Sequence, residues 1–415
     1  MPEFLQLLPP LDALDRLLVA LKNSPMTVSI PREEVELHQA LGRVTIEPIL
    51  APHPMPSFPR STVDGYALRA ADTYGASEGL PAYMSLAGEV PMGEAPGFDI
   101  KPYECALIHT GGMLPESADA VVMVENTQMV HAGEIEILRA AAEAENVLAV
   151  GEDVREGEQV IPAGTRLRPA EIGGLAAIGI THLNVARRPR VAIISSGDEV
   201  VPPQTDIRPG QVRDINAYTL SALVQVAGGD PVHYGIVPDQ AEALEATARE
   251  GLESCDMVVI TAGSSASTRD LTATVINRLG QPGVLVHGVN VRPGKPTILA
   301  VCDGKTMIGL PGNPVSALVI ASLFVVPVID HLLGLTVERP KSSLSASLSL
   351  NLASSAGRED WIAVRLTKSE HGYLAEPVFG KSNLIFTLAR ADGLIRIPPD
   401  ATGLSAGQLV DVVLF

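Results

Sequence analysis

Two short turns rich in glycine and proline lie close together in the chain, Val291–Pro296 (VRPGKP) and Gly309–Ser316 (GLPGNPVS). The first offers Arg292 and Lys295. The second opens an apolar run from Val315 to Val326, with Asn313 placed to cap a helix. A helix N-terminus presents unpaired N–H groups and about half a positive charge. Cations set beside it suit a bound anion. Between Val291 and Ser316 the charged residues are Arg292, Lys295, Asp303 and Lys305, so the segment is net positive in a chain whose formal net charge is −18. The chemistry these residues imply is a local anion site in an acidic protein.

Other residues of useful type sit on turns beside strand-like runs. Asp64 lies in Ser61–Ala67 (STVDGYA), where Asp-Gly suits a tight turn. Thr110 can present a hydroxyl from the glycine turn after Ile108. Ser196–Glu199 (SGDE) follows an apolar strand; such a loop can hold a metal or orient a nucleotide, or cap a helix through Ser196 or Asp198. Thr261–Asp270 (TAGSSASTRD) is small and hydroxyl-rich, so its N–H and O–H donors, Ser265 within it, can approach phosphate with Arg269 nearby. Asp270 can cap the next helix or ligate Mg²⁺ bridging phosphates. Gly357–Trp361 (GREDW) and Gly380–Asn383 (GKSN) carry one cation each, Arg358 and Lys381, and read as exposed turns.

Composition limits what such a site can serve. The acidic balance argues against general nucleic-acid or anionic-membrane binding, which needs a basic surface. Aromatic residues at 4% leave little for a base-stacking platform. Cys105, Cys255 and Cys302 are far apart with no Cys-x-x-Cys, which points to reduced, buried thiols and a cytoplasmic setting. No His-Glu-x-x-His or zinc-type spacing occurs. The start of the chain lacks a basic signal-peptide region. The apolar run Val315–Ile329 contains Ser316, Ser322 and Pro327, and reads as a buried helix that kinks or ends near Pro327 rather than a bilayer span.

The elements that must position these residues follow from periodicity. Leu11, Leu14, Leu17, Leu18 and Leu21 have helical spacing, and a proline-rich extended stretch follows between Pro48 and Pro59. Short strands and turns fill residues 60–146, and a return segment begins at Gly151. From Arg190 the pattern alternates apolar strands with helices, which implies a mainly parallel three-layer α/β sheet. Ligands of such sheets bind outside the carboxyl ends of the strands, where the loops 195–199, 261–269 and 310–313 can meet. After Pro340 alternation takes over, with Leu344, Ala346, Leu348 and Leu350 on one face, giving a small all-β domain.

Taken in order, these motifs resemble the MoeA family, the molybdopterin molybdenumtransferases that include the gephyrin E domain. The resemblance rests on Ser61–Ala67, Ile108–Glu125, Gly151–Gly157, Ser196–Val200, Gly210–Leu220, Arg292–Pro296, Gly309–Ser316, Gly357–Trp361 and Ala391–Pro398. It implies a multidomain α/β plus β homodimer. Domain I would comprise residues 1–50 and 147–186, with the N-terminal helix; domain II the β-rich insertion 51–146; domain III the α/β unit 187–338; and domain IV the C-terminal β-barrel 339–415.

The resemblance also implies that adenylylated molybdopterin and molybdate (or tungstate) yield molybdenum cofactor and AMP with Mg²⁺, downstream of a molybdopterin adenylyltransferase. It implies oxyanion contacts from Lys295, Pro296, Ser316, Arg358 and Ser382, with Asn313 and Ser265 as further substrate-binding candidates. Asp64, Thr110, Glu199 and Asp270 would serve catalysis or the pterin nucleotide, with Asp270 and Glu199 as metal ligands. Asp64 would face domain III of a second subunit. The chain departs from the family at Ala262–Ser267, where Gly-Gly-Val-Ser-Val-Gly is usual, so Cβ atoms replace hydrogens at two positions. The alternatives are an adenylyltransferase-like enzyme or a non-catalytic pterin carrier or scaffold.

Overall fold

The structure is a computed structural model and describes residues 7–24, 30–262, 266–337 and 342–415, with the side chains of 266–270 outside that description. Ser265 and the side chain of Asp270 therefore lie outside the described residues.

The α/β unit is built on a six-stranded sheet in the spatial order Asp230–Val237, Arg190–Ser196, Met257–Ala262, Lys305–Pro311, Ile298–Cys302, Pro282–His287. The first four strands are parallel and the last two add antiparallel, so the sheet is mixed at one edge. Side chains alternate across a strand, and the two faces divide accordingly. Val191, Ile193, Met257, Val259, Ile308 and Leu310 join one core with the helices Asn216–Ala227 and Pro314–Leu332. Ala192, Ile194, Val258, Ile260 and Met307 join the other with Ala241–Ser254 and Ala266–Leu279. Three layers result, as the strand–helix alternation predicts.

Two expectations about helices change. Pro314–Leu332 runs through Pro327 without ending there. A helix-interior proline costs about 3 kcal/mol, but Phe324, Val325, Val328 and Ile329 beside it are all fully buried, and their packing offsets that cost. This helix has 19 residues and a mean hydropathy of 2.1, enough by length and composition to cross a bilayer, yet it lies in the core against the sheet. The helix Pro10–Lys22 also belongs elsewhere than expected. Its apolar stripe, Ala13, Leu17 and Leu21, packs into the α/β core rather than into domain I, and Leu8 pairs with Val289. Helical spacing shows that a stripe is buried, not against which partner.

A small unit joins distant stretches of chain: Arg32–Glu36 pairs with His182–Ala186, and Ile49–Leu50 with Gln159–Ile161, over a core that includes Leu167, Leu175 and Val185. Between these pairings is the inserted sheet, in the order Ala120–Met123, Gly65–Leu68, Glu104–Ile108, Ala82–Glu89, Glu134–Ile137, Thr127–His131. Val147–Leu148 pairs with Arg60–Ser61 and closes this insertion. Gly65 opens a strand instead of bending a tight turn, and its missing Cβ lets the Val122 carbonyl approach.

The C-terminal unit is a closed five-stranded barrel: Glu359–Ser369, Gly372–Pro377, Ser343–Leu348, Leu409–Leu414 and Gly393–Ile397, the last pairing back to the first. Ala346 and Leu348 enter its core, while Leu350 lies past the strand end and is exposed. The three cysteines are unpaired and buried, and burial pushes the thiols of Cys105 and Cys302 up to about 12, which makes them inert packing groups.

If Pro10–Lys22 is part of the α/β core, Leu17→Ala should lower unfolding free energy by about 2–5 kcal/mol. Urea denaturation measures this, and a loss below about 1 kcal/mol would mean the helix is a detachable arm.

Candidate functional site

The barrel and the α/β unit meet along a short seam. Val291–Arg292 pairs in parallel with Glu359–Asp360, so the first cationic turn is joined to the strand that follows Arg358. Asn290 donates through its side-chain amide to the Gly357 carbonyl. On the other side, the Val315 N–H at the start of Pro314–Leu332 donates to the Ser382 carbonyl at 3.0 Å. A cleft of about 990 Å³ lies between these two attachments, lined among others by Lys295, Pro296, Asn313, Ser316, Arg358 and Ser382. Residues as far apart in sequence as Lys295 and Ser382 are thereby brought to one place.

Each turn has a local reason for its shape. Gly294 has φ +110°, and a Cβ there would overlap the side chain of buried Ile320, so only glycine fits. Buried Thr297 donates to the Gly294 carbonyl at 2.6 Å, and the Lys295 carbonyl accepts from Val289 N–H at 2.9 Å. The Lys295 backbone is fixed while its side chain stays exposed, and no ion pair among the described residues engages it.

Asn313 occupies the N-cap position of Pro314–Leu332 but makes no side-chain cap bond. Its amide nitrogen instead donates to the Ser382 hydroxyl at 3.0 Å. A hydroxyl that accepts one bond keeps its own hydrogen to give, so Ser382 remains a donor toward the cleft. Ser316 is 4% exposed in the first turn of the same helix, and no bond among the described residues takes up its N–H or hydroxyl.

Arg358 is not on a solvated turn. Its Nε and Nη2 donate to the two oxygens of Asp360 at 2.7 and 3.1 Å, and Asp360 is 3% exposed. Glu359 is buried as well, accepting from Trp361 Nε1 at 2.8 Å and paired with Arg396. Sequence reading took Gly357–Trp361 as an exposed turn because its charges looked solvated; each buried acid here has a cationic or hydrogen-bonding partner. Lys305 does not line the cleft. It starts the strand whose far end carries Pro311, and it donates to the Leu252 carbonyl.

The other predicted residues gather elsewhere. Asp64 Oδ1 accepts from Thr110 N–H at 2.7 Å and from the Thr110 hydroxyl at 3.0 Å, with the His109 ring 3.9 Å away. Both bonds favour the ionised acid and hold its carboxyl below the usual carboxylate range, the backbone bond most of all. This pair sits on the inserted sheet and does not line the cleft.

Glu199 is exposed in the loop after Arg190–Ser196, beside the point where strand connections diverge in opposite directions. Such a switch point opens a ligand crevice. There Asp198 accepts from Asp239 N–H at 3.2 Å, and Asp239 accepts from the Ser196 hydroxyl at 2.7 Å, so Ser196 and Asp198 tie this loop to the one after Asp230–Val237 rather than capping a helix. Pro296 and Pro311 form the wall between the large cleft and a cavity of about 10 Å³ near Ala262 and Thr272.

Sequence reasoning missed Asp360, Asp214 and Asn216. Asp214 accepts from Ala217 N–H at 3.1 Å and caps Asn216–Ala227, and Asn216 donates to the Gly312 carbonyl at 2.8 Å, bracing the second turn from behind. An Asp three residues ahead of Ala217, at the start of an apolar helix, was the available signal.

The comparisons with known proteins agree with this architecture. Residues 9–179 match a family model described as "MoeA N-terminal region (domain I and II)", residues 192–331 one described as "Probable molybdopterin binding domain", and residues 345–415 "MoeA C-terminal region (domain IV)". The molybdopterin molybdenumtransferase of Nostoc sp. is 33% identical over 92% of this chain and 88% of its own length. That of Bacillus subtilis is 32% identical over 92% and 89%. Two crystal structures of the molybdopterin biosynthesis MoeA protein from Pyrococcus horikoshii superpose with TM-scores of 0.79 and 0.85, at 37% and 30% identity, each covering 99% of this chain and 99% or 100% of its own. A four-part chain of α/β sheet, barrel, inserted sheet and discontinuous connector is the architecture of a cofactor-biosynthesis enzyme. The chain belongs to the MoeA family of molybdopterin molybdenumtransferases.

Thr110→Val keeps the backbone donor and removes the hydroxyl. The Asp64 pKa should rise toward the ordinary value yet stay below it, as read by NMR titration of the carboxyl; an unchanged titration would mean the hydroxyl bond is not made in solution.

Proposed function

We propose that this transferase of molybdenum cofactor biosynthesis binds molybdate in the cleft between its α/β unit and its barrel, and inserts it into adenylylated molybdopterin with release of AMP. One observation carries the reading: Lys295, Ser316, Arg358 and Ser382 all line a single cleft with donors left to give. Lys295 lacks a carboxylate partner among the described residues, Ser316 has an untaken N–H and hydroxyl, Ser382 has a free hydroxyl hydrogen, and Arg358 keeps the N–H groups that Asp360 does not use. A tetrahedral dianion needs such a ring of fixed donors, and donors already in place cost no reorganisation when charge develops. A cleft of about 990 Å³ also leaves room for a nucleotide-sized second substrate.

The residues divide the work. Lys295 and Arg358 supply charge, Ser316 and Ser382 supply directed hydrogen bonds, and Pro296 fixes the floor. The switch-point crevice beside Glu199 takes the nucleotide phosphates. Among the described residues no group of three His, Cys, Asp or Glu side chains is placed to hold a metal. Mg²⁺ commonly takes one or two carboxylates together with substrate phosphates, and exposed Glu199 is a hard-oxygen donor that fits this pattern. When bound there, Mg²⁺ would neutralise phosphoanhydride charge.

Asp64 and Thr110 lie on the inserted domain and outside the cleft, which supports a site completed by a second copy of the chain. In that homodimer the ionised Asp64 of one subunit faces the nucleotide side of the other. Buried, unpaired thiols support a reducing, cytoplasmic setting, with a molybdopterin adenylyltransferase supplying the substrate.

Lys295→Ala should cut molybdate-dependent AMP release at limiting molybdate by at least tenfold, the rate equivalent of about 1.4 kcal/mol. Undiminished release would sink the cradle assignment. Co-expression of Asp64→Asn with Lys295→Ala should yield mixed dimers more active than either parent, because one of their two sites is intact. Activity no higher than the parents' would overturn the shared site.

A further inference from the structure

Asp360 is a buried acid in the middle of a cleft that binds an anion, which on charge alone is the wrong sign. It is 3% exposed, and its oxygens accept from Arg358 Nε at 2.7 Å, from Arg358 Nη2 at 3.1 Å and from the Ser354 hydroxyl at 3.0 Å. Arg292 Nη1 lies 4.0 Å from the same carboxylate. Asp360 is also the residue through which three chain segments meet: its strand position pairs with Arg292 on one side and with Ile397 on the other. A fork-to-fork pair of this kind fixes the plane of a guanidinium as well as its place.

We infer that Asp360 is the positioning residue of the oxyanion site: it gives up part of the cleft's positive charge in order to hold the Arg358 guanidinium at one angle toward the bound oxyanion. Without it, Arg358 is a long side chain with several rotamers at the mouth of a cavity, and each binding event must freeze it. With it, two donors are spent on a fixed carboxylate and the remaining edge of the guanidinium faces the cleft. Arg292, on the neighbouring turn, makes only a loose 4.0 Å approach to the same acid, so Arg358 is the cation that Asp360 holds. This inference rests on the cleft being the oxyanion site.

The claim makes two opposing forces separable. Asp360→Asn removes a negative charge from an anion-binding cleft, so a purely electrostatic account predicts tighter molybdate binding. Positioning predicts the reverse. The test is calorimetric titration of the full-length protein with molybdate, and in parallel with tungstate, at fixed ionic strength. Asp360→Asn should weaken binding of either oxyanion at least tenfold. Its activity should show a raised KM for molybdate with a smaller change in KM for the pterin nucleotide, which a general loss of folding would not produce. Asp360→Glu should recover part of the affinity. On an Arg358→Ala background, Asp360→Asn should cause no further weakening, since the acid acts through that arginine.

Arg358→Lys is the second variant, because it keeps the charge and loses the fork; it should weaken binding too, and it is readable even if Asp360→Asn does not fold. Wild-type or tighter binding by folded Asp360→Asn, or by Arg358→Lys where Asp360→Asn does not fold, overturns the inference, provided Lys295→Ala and Arg358→Ala bind weakly. Undiminished binding by both Lys295→Ala and Arg358→Ala overturns the cleft reading and this inference together.

Discussion

The parallel pairing of Val291–Arg292 with Glu359–Asp360 is a two-residue contact, yet the site depends on it. It attaches the barrel to the α/β unit at the point where each contributes a cation. The Ser382 carbonyl, capping the Val315 N–H, makes the second attachment. With both in place, a gap remains between the domains whose walls cannot drift apart freely. Arg292, Lys295 and Arg358 bring like charges to one cleft, and their mutual repulsion would otherwise favour opening it. Backbone hydrogen bonds and the buried Asp360 oppose that repulsion.

The donors that face the cleft are the ones left over from structural duties. Asn313 sits at a helix N-cap but gives its amide to Ser382, and the helix end is capped by Ser382 in return. This exchange couples the second turn to the barrel loop, so neither can be reshaped alone. Asn216 braces the same turn through the Gly312 carbonyl. Gly294 lets the first turn lie against Ile320 of the long apolar helix, which places Lys295 beside the helix start. The helix is buried along most of its length, and that burial keeps its N-terminus in register with the strand ends.

Much of this was legible in the sequence where local chemistry dictates the outcome. The alternation of strands and helices after Arg190, the barrel-like alternation after residue 342, and the two Gly-Pro turns each follow from patterns a few residues long. What was not legible depended on distant partners. Asp360 and Glu359 looked like surface charges because Arg358, Arg396 and Trp361 hold them only in the folded state. The apolar stripe of Pro10–Lys22 said that a face is buried, while the strands it packs on, Pro282–His287 and Ile298–Cys302, lie far ahead in the chain. Pro327 obeyed packing over local propensity, since the surrounding side chains are fully buried. Asp64 and Thr110 were separate candidates until strand pairing brought their turns together.

The likeness to molybdenumtransferases covers most of the chain and all four units, which separates this protein from a single-domain adenylyltransferase. The central claim is then one of location: the oxyanion sits at the barrel seam, not at the switch-point crevice beside Glu199. Anomalous diffraction from crystals soaked in tungstate tests it directly, because one heavy atom reports one position. The account predicts a single strong peak within hydrogen-bonding reach of Lys295, Ser316, Arg358 and Ser382. A peak at the Glu199 loop, with the cleft empty, would contradict it.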